Sequence, residues 1–289
     1  MSEIQFYGKR KNPEELTQTR IDTSKHILDY ATEPEKQLIS ESWKRRAQPG
    51  WTDGVLGSLQ DTTNGLFWIG SNFSVYIALT DPNLKTQFNP VLIERSRSSA
   101  GGCAIQTIDG YFIAQRRGYK VANANGRLDS SITAMVNLKT GREDFANRLK
   151  TNAKRELGID PNSILDFRPT GTHKGVDFTT VQITYRGTIP LTLEEVKKLK
   201  DPEFTGNTDD IAGLYGKTLE QLPGFLIDNS DEALGGFIDD GLAALMEALP
   251  QDTFFEVTKE LSKRGRIIRF GDIEEGIFIP DLALEERLR

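Results

Sequence analysis

The sequence predicts an α+β fold in which a mixed β-sheet packs between helices, and three observations favour it. The apolar segment 101–117 is divided by Asp109-Gly110, a pair typical of the turn in a β-hairpin. In segment 145–157 an apolar residue recurs at every fourth position, which predicts an amphipathic helix. Segment 179–185 (TTVQITY) alternates polar and apolar residues, as a half-buried strand does.

Composition and charge exclude several classes of protein. With 37% hydrophobic and 27% charged residues, the 289-residue chain can fold as one large domain or two small ones. A net charge of −6 argues against broad binding to nucleic acid, although a local basic patch stays open. One cysteine and two histidines can form neither an internal disulfide nor a zinc set. No segment has the pattern of a signal peptide or a membrane span, so we expect a cytoplasmic protein without a membrane partner.

The predicted elements form three blocks, namely an N-terminal α/β block at 1–95, a core at 96–228 and a C-terminal helical extension at 229–289. In the first block Thr32 and Pro34 predict the start of a helix at 32–46. Strands are predicted for both halves of 65–79 and for 91–93. All three tryptophans lie in this block, where core anchoring is favoured and a base-stacking surface is the alternative.

The other two blocks have the following predicted elements. In the core, strands are expected at 131–136, 165–172, 179–185 and 211–215, and helices at 193–200 and from Thr218 onward. In the extension, a first helix is expected because Leu234, Ile238, Leu242, Leu245, Met246 and Leu249 keep a period near that of a helix. A second helix is expected at 254–262 and a strand at 266–270.

Residues 137–159 (NLKTGREDFANRLKTNAKRELGI) resemble the Nudix box. That box has a glycine, five residues, a glutamate and seven residues before Arg-Glu-apolar-any-Glu-Glu-any-Gly-apolar. The chain matches it at Glu143, Ala153, Glu156 and the closing Gly158-Ile159. It departs from it at Asn137 for glycine, Thr151 for arginine, and Asn152 and Arg155 for two glutamates. The resemblance covers roughly the middle half of the chain and implies a Nudix-type α/β/α sandwich with a mixed sheet.

Nudix hydrolases cut pyrophosphate linkages with water and divalent cations, so the resemblance implies Mg²⁺ or Mn²⁺ as the cofactor. It gives the catalytic roles to Glu143 and Glu156, and metal ligation to Glu156 with Asp209 or Asp210. An ordinary helix carboxylate is the alternative for both glutamates, and an ordinary turn is the alternative for the two aspartates. Because Arg155 stands where the family has a glutamate, its positive charge opposes a metal at this site.

Four further residues are candidates for binding phosphate. Arg116 and Arg117 follow the second hairpin strand, where family members often have arginines near the substrate. Arg155 belongs to the basic side of the predicted helix, which can receive phosphate without a metal. His173 could act as a general base or phosphate donor, and an ordinary loop histidine is the alternative.

Three functions follow from these observations. The losses from the box favour a Nudix-fold protein that binds a nucleotide or another phosphorylated small molecule with weak or no hydrolysis. An active, divergent pyrophosphohydrolase of a nucleoside-diphosphate-linked substrate is the second. A structural or protein-interaction role is the third, in which the terminal blocks form a homo-oligomer or partner surface.

Overall fold

The computed structural model describes residues 3–7, 20–47, 52–62, 65–96, 98–118, 126–135, 145–175, 180–199, 211–231, 234–274 and 277–288. The strands within these ranges are β1 Glu3–Tyr7, β2 Arg20–His26, β3 Val55–Thr62, β4 Gly65–Asn72, β5 Ser98–Thr107, β6 Tyr111–Arg117, β7 Leu128–Asp129, β8 Ile132–Met135, β9 Leu165–Gly175, β10 Thr180–Ile189, β11 Ile211–Thr218, β12 Ile267–Glu274 and β13 Ile277–Pro280. The helices are α1 Glu33–Arg46, α2 Phe73–Leu79, α3 Pro82–Lys85, α4 Pro90–Arg95, α5 Phe145–Leu157, α6 Leu193–Leu199, α7 Leu222–Asp228, α8 Asp239–Met246, α9 Gln251–Lys263 and α10 Leu282–Leu288.

The described strands form one mixed sheet, ordered β13-β12-β1-β9-β10-β5-β3-β4-β2. The β1–β12, β5–β10 and β2–β4 pairs are parallel, and the other pairs are antiparallel. Beside β5, three strands follow one another along the edge opposite β10: β3 at Ser98, β8 at 100–103 and β6 at Gln106. Strands from all three predicted blocks therefore lie in one sheet, and the block boundaries themselves stay predictions.

Helices cover both faces of this sheet, and the alternation of side chains along β5 and β6 shows it. Cys103, Ile105 and Ile113 belong to the apolar cluster that includes α5, whereas Ala104 and Phe112 belong to the cluster that includes α8. Neighbouring residues of one strand point to opposite faces. Accordingly α5, here called the box helix, and α8, here called the core helix, lie on opposite faces, and the predicted α+β sandwich with a mixed sheet is confirmed.

The box helix ends as the sequence predicts. Gly158 has a φ of +72°, a left-handed conformation that glycine adopts without a steric penalty. The N–H of Gly158 donates to the carbonyl of Lys154 at 3.1 Å, and that of Ile159 to the carbonyl of Ala153 at 3.3 Å. This pattern closes the last turn of the helix. The chain then passes through a short 3-10 helix at Pro161–Ser163 into β9.

The core helix is buried on every side, which its sequence, DDGLAALM, does not indicate. A Cβ added to Gly241 would lie 2.6 Å from the Cα of Asp129, so only glycine permits this close approach to β7. The helix is also shorter than predicted. Residues 229–231 and 234–238 are largely irregular, and Leu234 is 86% exposed rather than part of an apolar stripe.

Two strand predictions in the first block are wrong. Residues 73–79 form helix α2 because Asp53, 21 positions away, accepts the Ser74 N–H at 2.7 Å and satisfies the start of the helix. Residues 90–95 form helix α4, because Asn89 accepts the N–H of Leu92 at 2.7 Å and Pro90 suits a first helical turn.

Other predictions in these blocks have mixed outcomes. Helix α1 is confirmed at 33–46, and the hairpin of β5 and β6 is confirmed as well. The predicted start of a helix at Thr218 is wrong, because Thr218 is the last residue of β11 and α7 begins only at Leu222. Trp68 is buried in the cluster beneath the box helix, as expected of a core anchor. None of the helices in the described ranges is both long and apolar enough to cross a bilayer.

Candidate functional site

The box helix is held by its apolar face and by polar bonds to β8. Leu149, Ala153 and Leu157 are fully buried against the sheet. On the adjoining face, Asn152 Nδ2 donates to the carbonyl of Thr133 at 2.7 Å, and Arg148 Nε donates to the carbonyl of Met135 at 3.2 Å. Asn152 stands where the Nudix box has a glutamate, and here it ties the helix to the neighbouring strand.

Glu156 and Arg155 form the charged end of this helix. Arg155 Nη2 donates to Glu156 Oε1 at 2.8 Å, and Gln115 Nε2 of β6 lies 3.4 Å from Glu156 Oε2. The side chain of Glu156 is only 7% exposed, whereas that of Arg155 is 55% exposed. Burial raises the pKa of the Glu156 carboxyl above its usual value, and the nearby Arg155 guanidinium offsets part of that rise. The two residues thus present an outward guanidinium above an inward carboxylate.

Arg117 and Asp129 form a second pair next to Glu156. Arg117 Nη1 donates to Asp129 Oδ2 at 2.6 Å, and Asp129 Oδ1 accepts the N–H of Ser130 at 2.7 Å. Burial raises the pKa of Asp129 despite the opposing effect of Arg117. Burial alone would lower the pKa of Arg117. The combined effect of Asp129, Tyr76 and Glu156 outweighs burial and raises that pKa. The Arg117 guanidinium therefore lies within electrostatic reach of the box helix and of helix α2.

Arg116 and His173, the other two candidates for binding phosphate, contact different parts of the protein. Arg116 Nη1 donates to the carbonyls of Gly126 at 2.6 Å and Gly235 at 3.0 Å, and its Nε donates to Tyr215 Oη at 3.0 Å. Arg116 thus binds the backbone shortly before β7 and shortly before the core helix. His173 was expected in a loop, but it lies on β9 and is fully buried. Burial lowers the pKa of His173 to about 3, so its imidazole is neutral.

The structure leaves part of the predicted site undescribed. Glu143, Asp209 and Asp210 lie outside the described residues. No three carboxylate, imidazole or thiol groups in the part of the chain that the structure describes lie close enough together to hold a metal ion. Glu156 is the one predicted ligand that is described, and both its oxygens face hydrogen-bond donors of the protein. These described residues do not by themselves fit a magnesium site, which needs several oxygen ligands.

Sequence reasoning missed Gln115 and Asp129, the two partners that fix Glu156 and Arg117. Gln115 lies in the predicted hairpin, and Asp129 lies in the polar, Gly- and Asn-rich segment 118–131, whose composition predicts a loop. Neither has a local signal. Asp129 pairs with Arg117 only because β7 adds to β6 with Asp129 opposite Gln115.

Comparison with known proteins adds information on the fold only. No family model and no curated protein matches the chain. Among solved structures, DR0079 from Deinococcus radiodurans is 18% identical, covers 54% of this chain and 82% of its own, and has a TM-score of 0.36. The MutT protein from Methanosarcina mazei Go1 is 14% identical, with coverages of 57% and 95% and a TM-score of 0.34. Tm1382, provisionally assigned as a Nudix hydrolase, is 12% identical, with coverages of 71% and 92% and a TM-score of 0.32.

These overlaps are partial, and they provide no basis for assigning a ligand or a reaction to this chain. The solved structures to which this chain is similar include a MutT protein and a protein provisionally assigned as a Nudix hydrolase. The Nudix hydrolases are the family whose box residues 137–159 resemble.

Proposed function

We propose that this chain binds a nucleotide or another phosphorylated small molecule at the exposed end of the box helix, with weak or no hydrolysis. The observation that carries this proposal is the Arg155–Glu156 pair. Its guanidinium is more than half exposed, and a hydrogen bond from Nη2 to the Glu156 carboxylate orients it. A guanidinium fixed in this way keeps N–H groups for a planar, two-point contact with phosphate oxygens.

The charges of the box helix support an anionic ligand. Arg148, Lys150, Lys154 and Arg155 are basic, and Glu156 is the acidic residue of this helix, within a chain of net charge −6. Arg148 is engaged with a carbonyl, and Lys150 lies 5.3 Å from the ring centre of Phe167. Lys154 and Arg155 are exposed and adjacent in sequence; we assign the direct contact with phosphate to Arg155, and only general electrostatic attraction to Lys154.

Weak or absent hydrolysis follows from the same pair. A divalent ion at Glu156 would replace Arg155 as the partner of that carboxylate. At about 5 Å and an effective dielectric of about 20, the guanidinium would repel the ion by roughly 6–7 kcal/mol before screening, an upper figure because Arg155 faces solvent. If hydrolysis does occur, Glu143 and Asp209 or Asp210 would have to supply the missing ligands. A role of the terminal blocks in an oligomer or partner surface is the remaining alternative.

The other candidates for binding phosphate, Arg117, Arg116 and His173, differ in their contacts within the protein. Arg117 is paired with Asp129, and we assign it to supporting Glu156 from beneath rather than to direct contact. Arg116 donates to two carbonyls and a tyrosine, and His173 is fully buried. For these two residues, contact with a ligand stays a prediction from sequence.

The test is titration calorimetry with a nucleoside diphosphate and with inorganic pyrophosphate, each with magnesium and with a chelator. Arg155→Glu should weaken binding by at least about tenfold, because an attractive charge becomes repulsive. Lys154→Glu is the matched control, because it makes the same charge change at the adjacent exposed position and should cost about threefold or less. Equal losses in both variants would indicate general electrostatic attraction and would contradict the assigned contact. No binding of either probe by the wild-type chain would contradict the proposal as a whole.

A further inference from the structure

A second group of titratable side chains lies in the protein core beneath the core helix. His173 Nε2 lies 3.7 Å from Asp240 Oδ1, and His173 Nδ1 lies 4.0 Å from Glu247 Oε2. The histidine is fully buried, and both carboxyl side chains are 9% exposed. Within the described part of the chain, neither ring nitrogen makes a hydrogen bond of ordinary geometry. Two acidic groups thus flank one imidazole where water is nearly excluded; we call His173, Asp240 and Glu247 the core triad.

Three arginines near the core triad have partners outside it. Arg117 binds Asp129, and Arg266 forms a buried ion pair with Asp239. From β10, Arg186 donates to Gln106 Oε1 at 2.8 Å and lies 3.4 Å from the carbonyl of Ala248.

The described neighbours of the core triad also include two uncharged side chains. The ring of Phe6 on β1 lies 6.0 Å from the His173 ring, and Gln182 on β10 hydrogen-bonds to Asp240. Among the described residues, Asp239, Asp129 and Arg117 also act on Asp240 electrostatically, but each belongs to an ion pair of its own. The two carboxyl groups and the imidazole therefore balance most of their charge among themselves.

The contacts of the Thr184 hydroxyl bear on the protonation state of the Glu247 carboxyl. The Thr184 hydroxyl lies 2.9 Å from the carbonyl of Gly171 and in close contact with the carboxyl of Glu247. A hydroxyl has one proton, and a backbone carbonyl can only accept. When Thr184 donates to Gly171, the contact with Glu247 is favourable if the carboxyl is protonated and donates to the hydroxyl.

We propose that the core triad holds two protons in the folded chain, which makes folding proton-dependent and places an alkaline limit on the native state. The two protons sit on Asp240 and Glu247, and His173 is neutral. Loss of one leaves an uncompensated buried charge beneath the core helix. Because Gly241 of that helix rests on Asp129, the resulting movement would reach the Arg117–Asp129 pair. The inference is independent of the proposed ligand.

The direction of the pH dependence follows from the individual groups. Burial raises the pKa values of Asp240 and Glu247 well above their usual range, so their stabilising effect is present at low pH and is lost as the pH rises through the folded-state values. His173, with its pKa lowered to about 3, acts in the opposite direction, but only below the usual histidine value. Burial also raises the pKa of Cys103, which adds a loss of stability above about pH 8. The interval from pH 7 to 8 therefore isolates the two carboxyl groups best.

The experiment is urea unfolding of the full chain at several pH values between 7 and 8. In the unfolded chain both carboxyls are ionised, so folding takes up close to two protons and the unfolding equilibrium constant should rise by about 30- to 100-fold per pH unit. The double variant Asp240→Asn with Glu247→Gln imitates the protonated groups. It should reduce this rise to about threefold or less and unfold at a higher urea concentration than wild type at pH 8. Exposed Glu256→Gln is the matched control and should keep the wild-type slope.

Two results would overturn the inference. One is a wild-type unfolding constant that changes less than about threefold between pH 7 and 8. The other is a double variant that folds but keeps the wild-type slope. If the double variant does not fold, calorimetric unfolding of the wild type in two buffers of different ionisation enthalpy decides the matter. Release of close to two protons on unfolding supports the core triad as the source, and release of none contradicts it.

Discussion

The Arg117–Asp129 pair gives the most specific prediction for stability. Asparagine at position 129 keeps the shape of the side chain and the acceptor for the Ser130 N–H, so Asp129→Asn removes mainly the charge. Breaking a fully buried ion pair costs about 3–5 kcal/mol. The side chain of Arg117 is 23% exposed, so water can solvate part of the unpaired guanidinium. We therefore expect a loss of about 2–3 kcal/mol in the free energy of unfolding.

The assay is urea unfolding of Asp129→Asn, of Arg117→Met and of the double variant, combined as a double-mutant cycle. A coupling energy of about 2 kcal/mol is expected, because the double variant leaves no unpaired charge in the core. Glu194→Gln breaks an exposed ion pair with Lys197 and should cause no measurable change. A coupling energy below about 0.5 kcal/mol would refute the view that this buried pair stabilises the fold.

Two further predictions concern the box helix and are checked by the same unfolding assay. Leu149→Ala should lower the free energy of unfolding by about 2–5 kcal/mol because it opens a cavity under a fully buried side chain, whereas exposed Val91→Ala should change it little; equal effects would contradict the packing. Asn152→Glu restores the residue of the Nudix box, yet it should cost about 1–3 kcal/mol because a carboxylate cannot donate to the Thr133 carbonyl. The same change at exposed Asn147 is the control, and a stabilised Asn152→Glu variant would count against the structural role of Asn152.

Sequence reasoning succeeded where the deciding interactions are local. The hairpin depends on the Asp109-Gly110 turn, and the end of the box helix depends on Gly158, so neighbouring residues suffice to predict both. Helix α2 was missed because the side chain that caps it, Asp53, is distant in sequence. Local propensity contains no information about such a partner.

The charged core was unpredictable for the same reason. Asp239 and Asp240 lie between apolar positions of the predicted helix, where the sequence shows no partner for them. Arg266, just before β12, and His173 on β9 reach them from segments that are remote in sequence. His173 itself lies in a polar, Gly-flanked segment that is typical of a loop. Only the pairing of β9 with β1 and β10 places it inside the protein.

Binding without catalysis is tested by measuring magnesium-dependent turnover of a nucleoside triphosphate and of a dinucleotide, with the protein preparation used for calorimetry. We expect the wild-type chain to bind the phosphorylated probe, with a turnover rate at or near background. The Glu156→Gln variant should show no further decrease in that rate. Robust turnover by the wild-type chain that Glu156→Gln abolishes would contradict it. That result would show that Glu156 carries the chemistry of an active site in spite of its contact with Arg155.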